Sequence, residues 1–271
     1  MKIILSLIIF IFGISVGSFL NCVIYRLEIK QSFLKGRSFC PKCHHILRWY
    51  DLIPILSFIF LKGKCRYCRE KISFQYPLVE IATGGLFLLI FNFLPLKGEF
   101  NFQNFINLVY LLIVSSLLVI IFVYDLKHYI IPDKIIYPAI LVVFIYRLFE
   151  ILNFDQWNLG LEILKNLQMP LLTAISAGTF FFLLWLVSGG RWMGLGDAKL
   201  AFFMGLFLGF PNILVSLFSA FFLGAIIGLG LIAFGEKSLK SKIPFGPFLV
   251  TGTFIALFFG EKIINCYLNL M

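Results

Sequence analysis

Charge is scarce in this chain: Asp, Glu, Lys and Arg make up 13% of its 271 residues, and acids are the scarcer sign, 13 against 23 Lys or Arg. A soluble domain of this length needs roughly twice that charged fraction, so an ordinary water-exposed globule is excluded. The chain also lacks low-complexity tracts and any internal repeat visible by eye. Without repeats, the architecture of a secondary transporter is disfavoured. There is no glycine-rich nucleotide loop, which leaves no dinucleotide fold of the soluble Rossmann kind. After the first hydrophobic run, GSFLNCVIYRL offers no small-residue cleavage site and Lys2 is a weak basic start. That run is therefore read as a retained helix rather than a signal peptide.

What the chain has is apolar length. Hydrophobic residues make up 61% and aromatics 18% of the sequence, with a mean hydropathy of +0.98. A spanning helix needs about 20 apolar residues, and eight runs qualify, at 3–24, 76–95, 106–124, 135–152, 170–188, 198–210, 212–234 and 244–266, the sixth being short. The expected fold is an all-α polytopic membrane bundle of about eight transmembrane helices. Residues 1–24 form the first helix, 25–75 a polar loop domain and 76–271 the membrane core. Helix breaks are expected at Pro132, Pro138, Pro170, Pro211 and Pro244.

Basic residues orient the bundle. Segment 25–75 carries eleven Lys or Arg against three acids, Glu28, Asp51 and Glu70, which places it in the cytoplasm. Alternation then puts 125–134, 189–197 and 235–243 on the same side, adding Lys127, Lys134, Arg191, Lys237, Lys240 and Lys242. Seventeen of the 23 basic residues are inner under this single assignment. The net charge of +10 is thereby explained by topology and by anionic membrane lipids, and it calls for no nucleic-acid partner.

Within the polar loop, Cys40-Pro-Lys-Cys43 and Cys65-Arg-Tyr-Cys68 are CxxC pairs separated by 21 residues. Two such pairs supply four thiolates to a tetrahedral metal, and a reducing cytosol disfavours disulfides, so structural zinc is the expectation. A closed site of this kind contributes folding energy to a small loop. His44 and His45 are alternative ligands, read here as solvated loop residues. Cys22 and Cys266 lie in predicted helices and read as small apolar residues.

Two acids stand at the ends of hydrophobic runs: Asp125 after LLIVSSLLVIIFVY, and Asp197 inside GLGD. Although 71 residues intervene, both fall at the inner end of a helix and at one depth. Two carboxylates sharing a site hold one proton between them, and the ionised one activates water, as in aspartic proteases. Gly194 and Gly196 would let backbone or substrate approach Asp197 closely. The structural alternatives are an N-terminal helix acid for Asp197 and pairing with Lys127 or Lys134 for Asp125. Asp133, in IIPD, competes for the first role, and its Pro132 neighbour reads as a turn.

The ordered stretches GSFLNCVIYRL, CPKCHHILRWYDLIPILSFIFLKGKCRYCREKISFQYPLVE, DLKHYIIPD, GLGDAKL and IPFGPFLVTG, spanning about residues 17 to 253, resemble the bacterial prepilin peptidases, or type IV leader peptidases. The resemblance implies a GxGD-class aspartic protease of the bacterial inner membrane. Such an enzyme cuts the basic leader from type IV prepilins and type II secretion pseudopilins at the cytoplasmic face. Many members also methylate the new N-terminus with S-adenosylmethionine, and some only cleave. By resemblance Asp125 and Asp197 are the catalytic pair, and Cys40, Cys43, Cys65 and Cys68 the tetracysteine loop. Gly194, Gly196 and Lys199 fall on the substrate side, with Lys199 read as a headgroup or substrate contact. The portion linked to methyl transfer includes the loop and Glu80. Departures from the family pattern are Leu195 and Ala198, where GMGDVKL is usual, and Glu28, where proline commonly follows YRL. An ion-coupled transporter is the rival reading, but its acids would ordinarily sit near the bilayer midplane.

Overall fold

The computed structural model describes residues 2–32, 36–93, 102–152, 161–235 and 243–270. Lys35, Lys237, Lys240 and Lys242 of the inner-basic count lie outside them. Among the described residues the fold is helical with no β-strand: α1 (Lys2–Glu28), α2 (Leu56–Phe60), α3 (Gln75–Phe93), α4 (Phe102–His128), α5 (Asp133–Leu152), α6 (Leu161–Ser188), α7 (Leu195–Leu208), α8 (Asn212–Ala233) and α9 (Gly246–Leu270), with a 3₁₀ turn at Trp49–Asp51. Helices are what an apolar chain must form in lipid, where every backbone donor needs a partner inside the segment.

All eight expected runs are helical, and six of the described helices are long and apolar enough to cross a membrane. The chain is an integral membrane protein. The remaining two differ from these in length and in charge. Helix α7 has 14 residues, a length of about 21 Å that falls short of a hydrocarbon core of about 30 Å. Helix α5 carries Asp133, Lys134, Arg147 and Glu150 along its length. Two expected breaks are absent: Pro138 lies inside α5 and Pro170 inside α6. In a bundle, neighbouring helices tolerate the lost donor, and α6 starts well before the run that its hydropathy marks.

The chain forms two compact units, Met1–Ile120 and Ile121–Met271, with α4 running from the first into the second. In the first, α1 and α3 touch backbone to backbone: a Cβ on Gly17 would lie 2.7 Å from the Glu80 Cα, and one on Gly13 2.8 Å from the Gly84 Cα. Small residues at such a seam are how membrane helices gain van der Waals contact without a hydrophobic driving force between them. In the second unit α7 is held the same way, with Gly205 packed on the Ala174 and Thr173 backbone of α6. Its far end is capped by Arg147 of α5, which donates to the carbonyls of Leu206 (3.3 Å) and Phe207 (2.6 Å) and pairs with Glu150 (2.9 Å). A guanidinium on the negative end of a helix satisfies carbonyls that lipid cannot.

Candidate functional site

The second unit contains a cavity of about 700 Å³. Three stretches far apart in sequence line it: the end of α4 through the start of α5, the α6–α7 turn with the start of α7, and the approach to α9. Helix α4 stops where Tyr129 takes a positive φ of 58° and donates its N–H to the Asp125 carbonyl (2.9 Å). Pro132 then starts α5, accepting from Ile135 at 3.0 Å. The α6–α7 turn passes through two left-handed glycines, Gly189 and Gly190, a conformation with little steric cost for glycine.

Asp125 and Asp197 both line this cavity. Asp125 is buried, 4% exposed, and its Oδ2 accepts the Gly246 N–H at 3.1 Å. Among the described residues no lysine is ion-paired to it. Asp197 sits in the first turn of α7 and accepts the Gly194 N–H at 3.0 Å, while its own N–H donates to the Gly194 carbonyl at 3.1 Å. That is a helix-start role, and the same carboxylate faces the cavity. Each acid is thus aimed by a backbone donor, and two carboxylates that line one cavity can share a proton and polarise a water when they come within reach of it.

The remaining residues read from the sequence divide. Gly194 has ordinary space around it, with the Asp197 Oδ2 at 3.6 Å from a built Cβ, whereas Gly196 presses on Ile131 at 3.0 Å. Asp133 opens α5 at the cavity mouth and is ion-paired to Lys199 at 2.6 Å, the ammonium also lying 4.9 Å from the centre of the Tyr137 ring. The glycine packed most closely on either acid is one the sequence did not single out. A Cβ on Gly246 would meet the Asp125 Oδ2 at 2.5 Å and Cγ at 3.1 Å. Its only signal was its place in IPFGPFLVTG.

In the first unit, the Sγ atoms of Cys40, Cys43, Cys65 and Cys68 all lie within 4.8 Å of one another. A tetrahedron with metal–sulfur bonds of about 2.3 Å has edges of about 3.8 Å, and the Cys40 and Cys68 sulfurs are 3.9 Å apart. The residues fit a closed four-thiolate ion. The two halves are built alike, at an offset of 25 residues that the sequence hides. Cys40 N–H donates to the His45 carbonyl and Cys65 N–H to that of Glu70, while His44 and Arg69 return the N–H to Cys40 and Cys65. His44 and Arg69 both take a positive φ, of 56° and 61°. Burial alone would raise the Cys65 thiol, but the N–H groups of Cys68 and Tyr67 and the thiols of Cys68 and Cys40 bring it down to about 7. Neither histidine joins the cluster, and His45 stacks on Tyr67 at 3.6 Å.

Comparison with known proteins shows the family of the chain. Residues 11–94 match the model of the bacterial peptidase A24 N-terminal domain, and residues 112–229 that of the type IV leader peptidase family. A protein of Bacillus subtilis named prepilin leader peptidase/N-methyltransferase is 31% identical over 263 residues, covering 97% of this chain and 98% of the relative. The chain belongs to the type IV leader peptidase family. Proteins of the same name from Aeromonas salmonicida and Legionella pneumophila are 31% and 29% identical, each over 97% of this chain and over 93% and 94% of their own lengths. No solved structure matches the chain. The two family matches together reach both units of the chain.

Proposed function

We propose that this chain is a prepilin leader peptidase/N-methyltransferase of the bacterial inner membrane, with Asp125 and Asp197 as its catalytic pair. The observation that carries the reading is the meeting of these two acids at one cavity in a chain that matches prepilin leader peptidases over nearly its full length. The substrate is a prepilin or pseudopilin whose hydrophobic helix lies in the bilayer and whose basic leader remains in the cytoplasm. One aspartate, ionised, takes a proton from water as it attacks the scissile carbonyl, and the other, protonated, donates to the carbonyl oxygen. The tetrahedral intermediate collapses as the proton held by the first acid passes to the leaving amine. Gly194 and Gly196 keep the wall beside Asp197 shallow, favouring a small residue before the cut, and Lys199 borders the substrate path.

The same reading divides the chain into the helix of 1–24, the zinc loop of 25–75 and the protease core of 76–271. Cys40, Cys43, Cys65 and Cys68 hold a structural zinc, which ties the two knuckles together. Methyl transfer would take its methyl group from S-adenosylmethionine. The described residues contain neither a strand nor a glycine-rich turn of the dinucleotide kind, so a Rossmann cradle does not fit. That half of the function rests on the relatives' names.

The test is purified enzyme with a prepilin, read by mass spectrometry. Loss of the leader with a methyl mass on the new N-terminus supports the full proposal. Leader loss alone leaves a peptidase, and an intact prepilin overturns both. Cytoplasmic placement of the acids is tested by Leu126→Cys and Leu195→Cys, scored on the peptides that carry them. An impermeant maleimide should label both in inside-out vesicles and neither in intact cells.

A further inference from the structure

The zinc loop contains a helix that its own fold does not cover. In α2, Phe58 is half-buried, its ring 5.3 Å from that of Phe74. Leu56, Ile59 and Phe60, spaced as one helical face, point outward with exposures of 51%, 60% and 80%. Leu52, Ile53 and Trp49 extend the apolar surface upstream, at 41%, 37% and 77%. Single exposed apolar residues are ordinary, but a contiguous set marks an interaction surface.

The depth of this surface is set by one hydrogen bond. The Ile55 N–H, at the start of α2, donates to the Glu80 Oε2 at 2.8 Å. Glu80 is the sixth residue of α3, about 7.5 Å along the axis from its first residue, Gln75, and α3 is long and apolar enough to span the bilayer. Helix α2 is therefore tied to a spanning helix more than a turn beyond its polar entrance. A surface helix in a bilayer interface lies about 5–10 Å deep. The turn that makes the tie is strained: Ile55, β-branched, has φ 59° and ψ −52°, and the Leu56 N–H donates to the Pro54 carbonyl across a single residue. Such a turn persists only where its surroundings enforce it.

Charge points to the same occupant. Lys62, Lys64 and Lys71 are exposed on the segment that follows α2, Arg69 stands beside the exposed Glu70, and the nearby Asp51 is already paired to Arg66 at 2.7 Å. An apolar face flanked by cations that outnumber the one exposed acid between them, Glu70, fits the acyl and anionic headgroup layers of one membrane surface. We infer that the zinc loop is a membrane-docked module, in which Leu56, Ile59 and Phe60 of α2 insert into the lipid interface at a depth fixed by the Ile55–Glu80 hydrogen bond. The inference is independent of the peptidase chemistry.

The experiment uses full-length protein in vesicles of phosphatidylethanolamine and phosphatidylglycerol, with p-benzoylphenylalanine in place of Phe60, Ile59, Arg66 or Arg69, one at a time. After irradiation, mass spectrometry should find lipid adducts at positions 59 and 60 and none at 66 or 69. Glu80→Gln, which keeps an acceptor oxygen, should preserve the adduct at 60, and Glu80→Leu should reduce it at unchanged zinc content. Crosslinks from position 60 to this chain or to a second copy, without lipid adducts, would overturn the inference. So would equal lipid adducts at 60 and 69.

Discussion

The thiol cluster and the carboxylate cavity are built on opposite plans. The cluster is local: two knuckles within 29 residues supply all four sulfurs, and each knuckle is closed by its own backbone hydrogen bonds. The cavity is assembled from three stretches that lie far apart in the chain, and the donor that aims Asp125 comes from a residue 121 positions away. A polar loop with little core would gain its order from metal coordination, whereas helices already ordered by lipid and packing can hold two isolated acids in place. The contrast teaches where substitution is expected to hurt chemistry and where it is expected to hurt structure.

The largest effects belong to the acids themselves. Asp125→Asn and Asp197→Asn should each lower prepilin cleavage by at least about 10²–10⁴-fold, the worth of a positioned acid or base, while the protein still inserts in the membrane. Normal processing by either variant would leave the cavity without its proposed chemistry. Gly246→Ala comes next. Its added methyl must displace the Asp125 carboxylate, which would otherwise lie 2.5 Å from it, and a misplacement on the order of 1 Å costs about 10²-fold. Because Gly246 stands in a helix without positive φ, alanine is otherwise the better residue there. Lost cleavage without lost thermal stability would therefore isolate the contact, and unchanged kcat/KM would show that Asp125 tolerates the push.

How much of this was legible follows the same division. Hydrophobic length announced every long helix, because lipid makes apolar length and helix nearly synonymous. The CxxC pairs announced the thiol cluster because all four sulfurs lie in two short words of sequence. By contrast, α2 was read as part of a polar loop, since its five residues are too few to show a period. Gly246 was invisible as a partner of Asp125, because a contact across 121 residues leaves no local pattern. Proline at 138 and 170 suggested breaks that packing in the bundle overrides. Asp125 and Asp133, eight residues apart on neighbouring helices, could not be ranked by spacing, and the structure separates them by burial, with Asp125 inside and Asp133 paired to Lys199 at the mouth.

Substitution in the thiol cluster should act through structure. Cys40→Ser or Cys65→Ser should take zinc from one ion per chain to none, measured by elemental analysis, and loosen the loop to proteolysis. Cleavage should fall less than in the aspartate variants, because the carboxylates lie in the other unit. Zinc-free wild-type protein with oxidised CxxC pairs would contradict the site. Arg147→Gln sharpens the same distinction inside the cavity-bearing unit. It removes charged hydrogen bonds to the carbonyls of Leu206 and Phe207, worth about 1.5–3 kcal/mol each, so a lower thermal midpoint is expected with little change in kcat.

The smallest effect should come from the ion pair at the cavity mouth. Lys199 and Asp133 make a short contact of 2.6 Å, but the Asp133 side chain is 61% exposed, and exposed pairs are worth about 0.2–1 kcal/mol before salt weakens them further. Neither group is aimed by a buried backbone donor as Asp125 is. Asp133→Asn should therefore retain measurable cleavage, and Lys199→Gln should change KM more than kcat, since a residue bordering the substrate path affects capture rather than proton transfer. Raising ionic strength should narrow the difference between wild type and either variant. A collapse of kcat in Asp133→Asn equal to that of Asp125→Asn would reverse the assignment of the first catalytic acid.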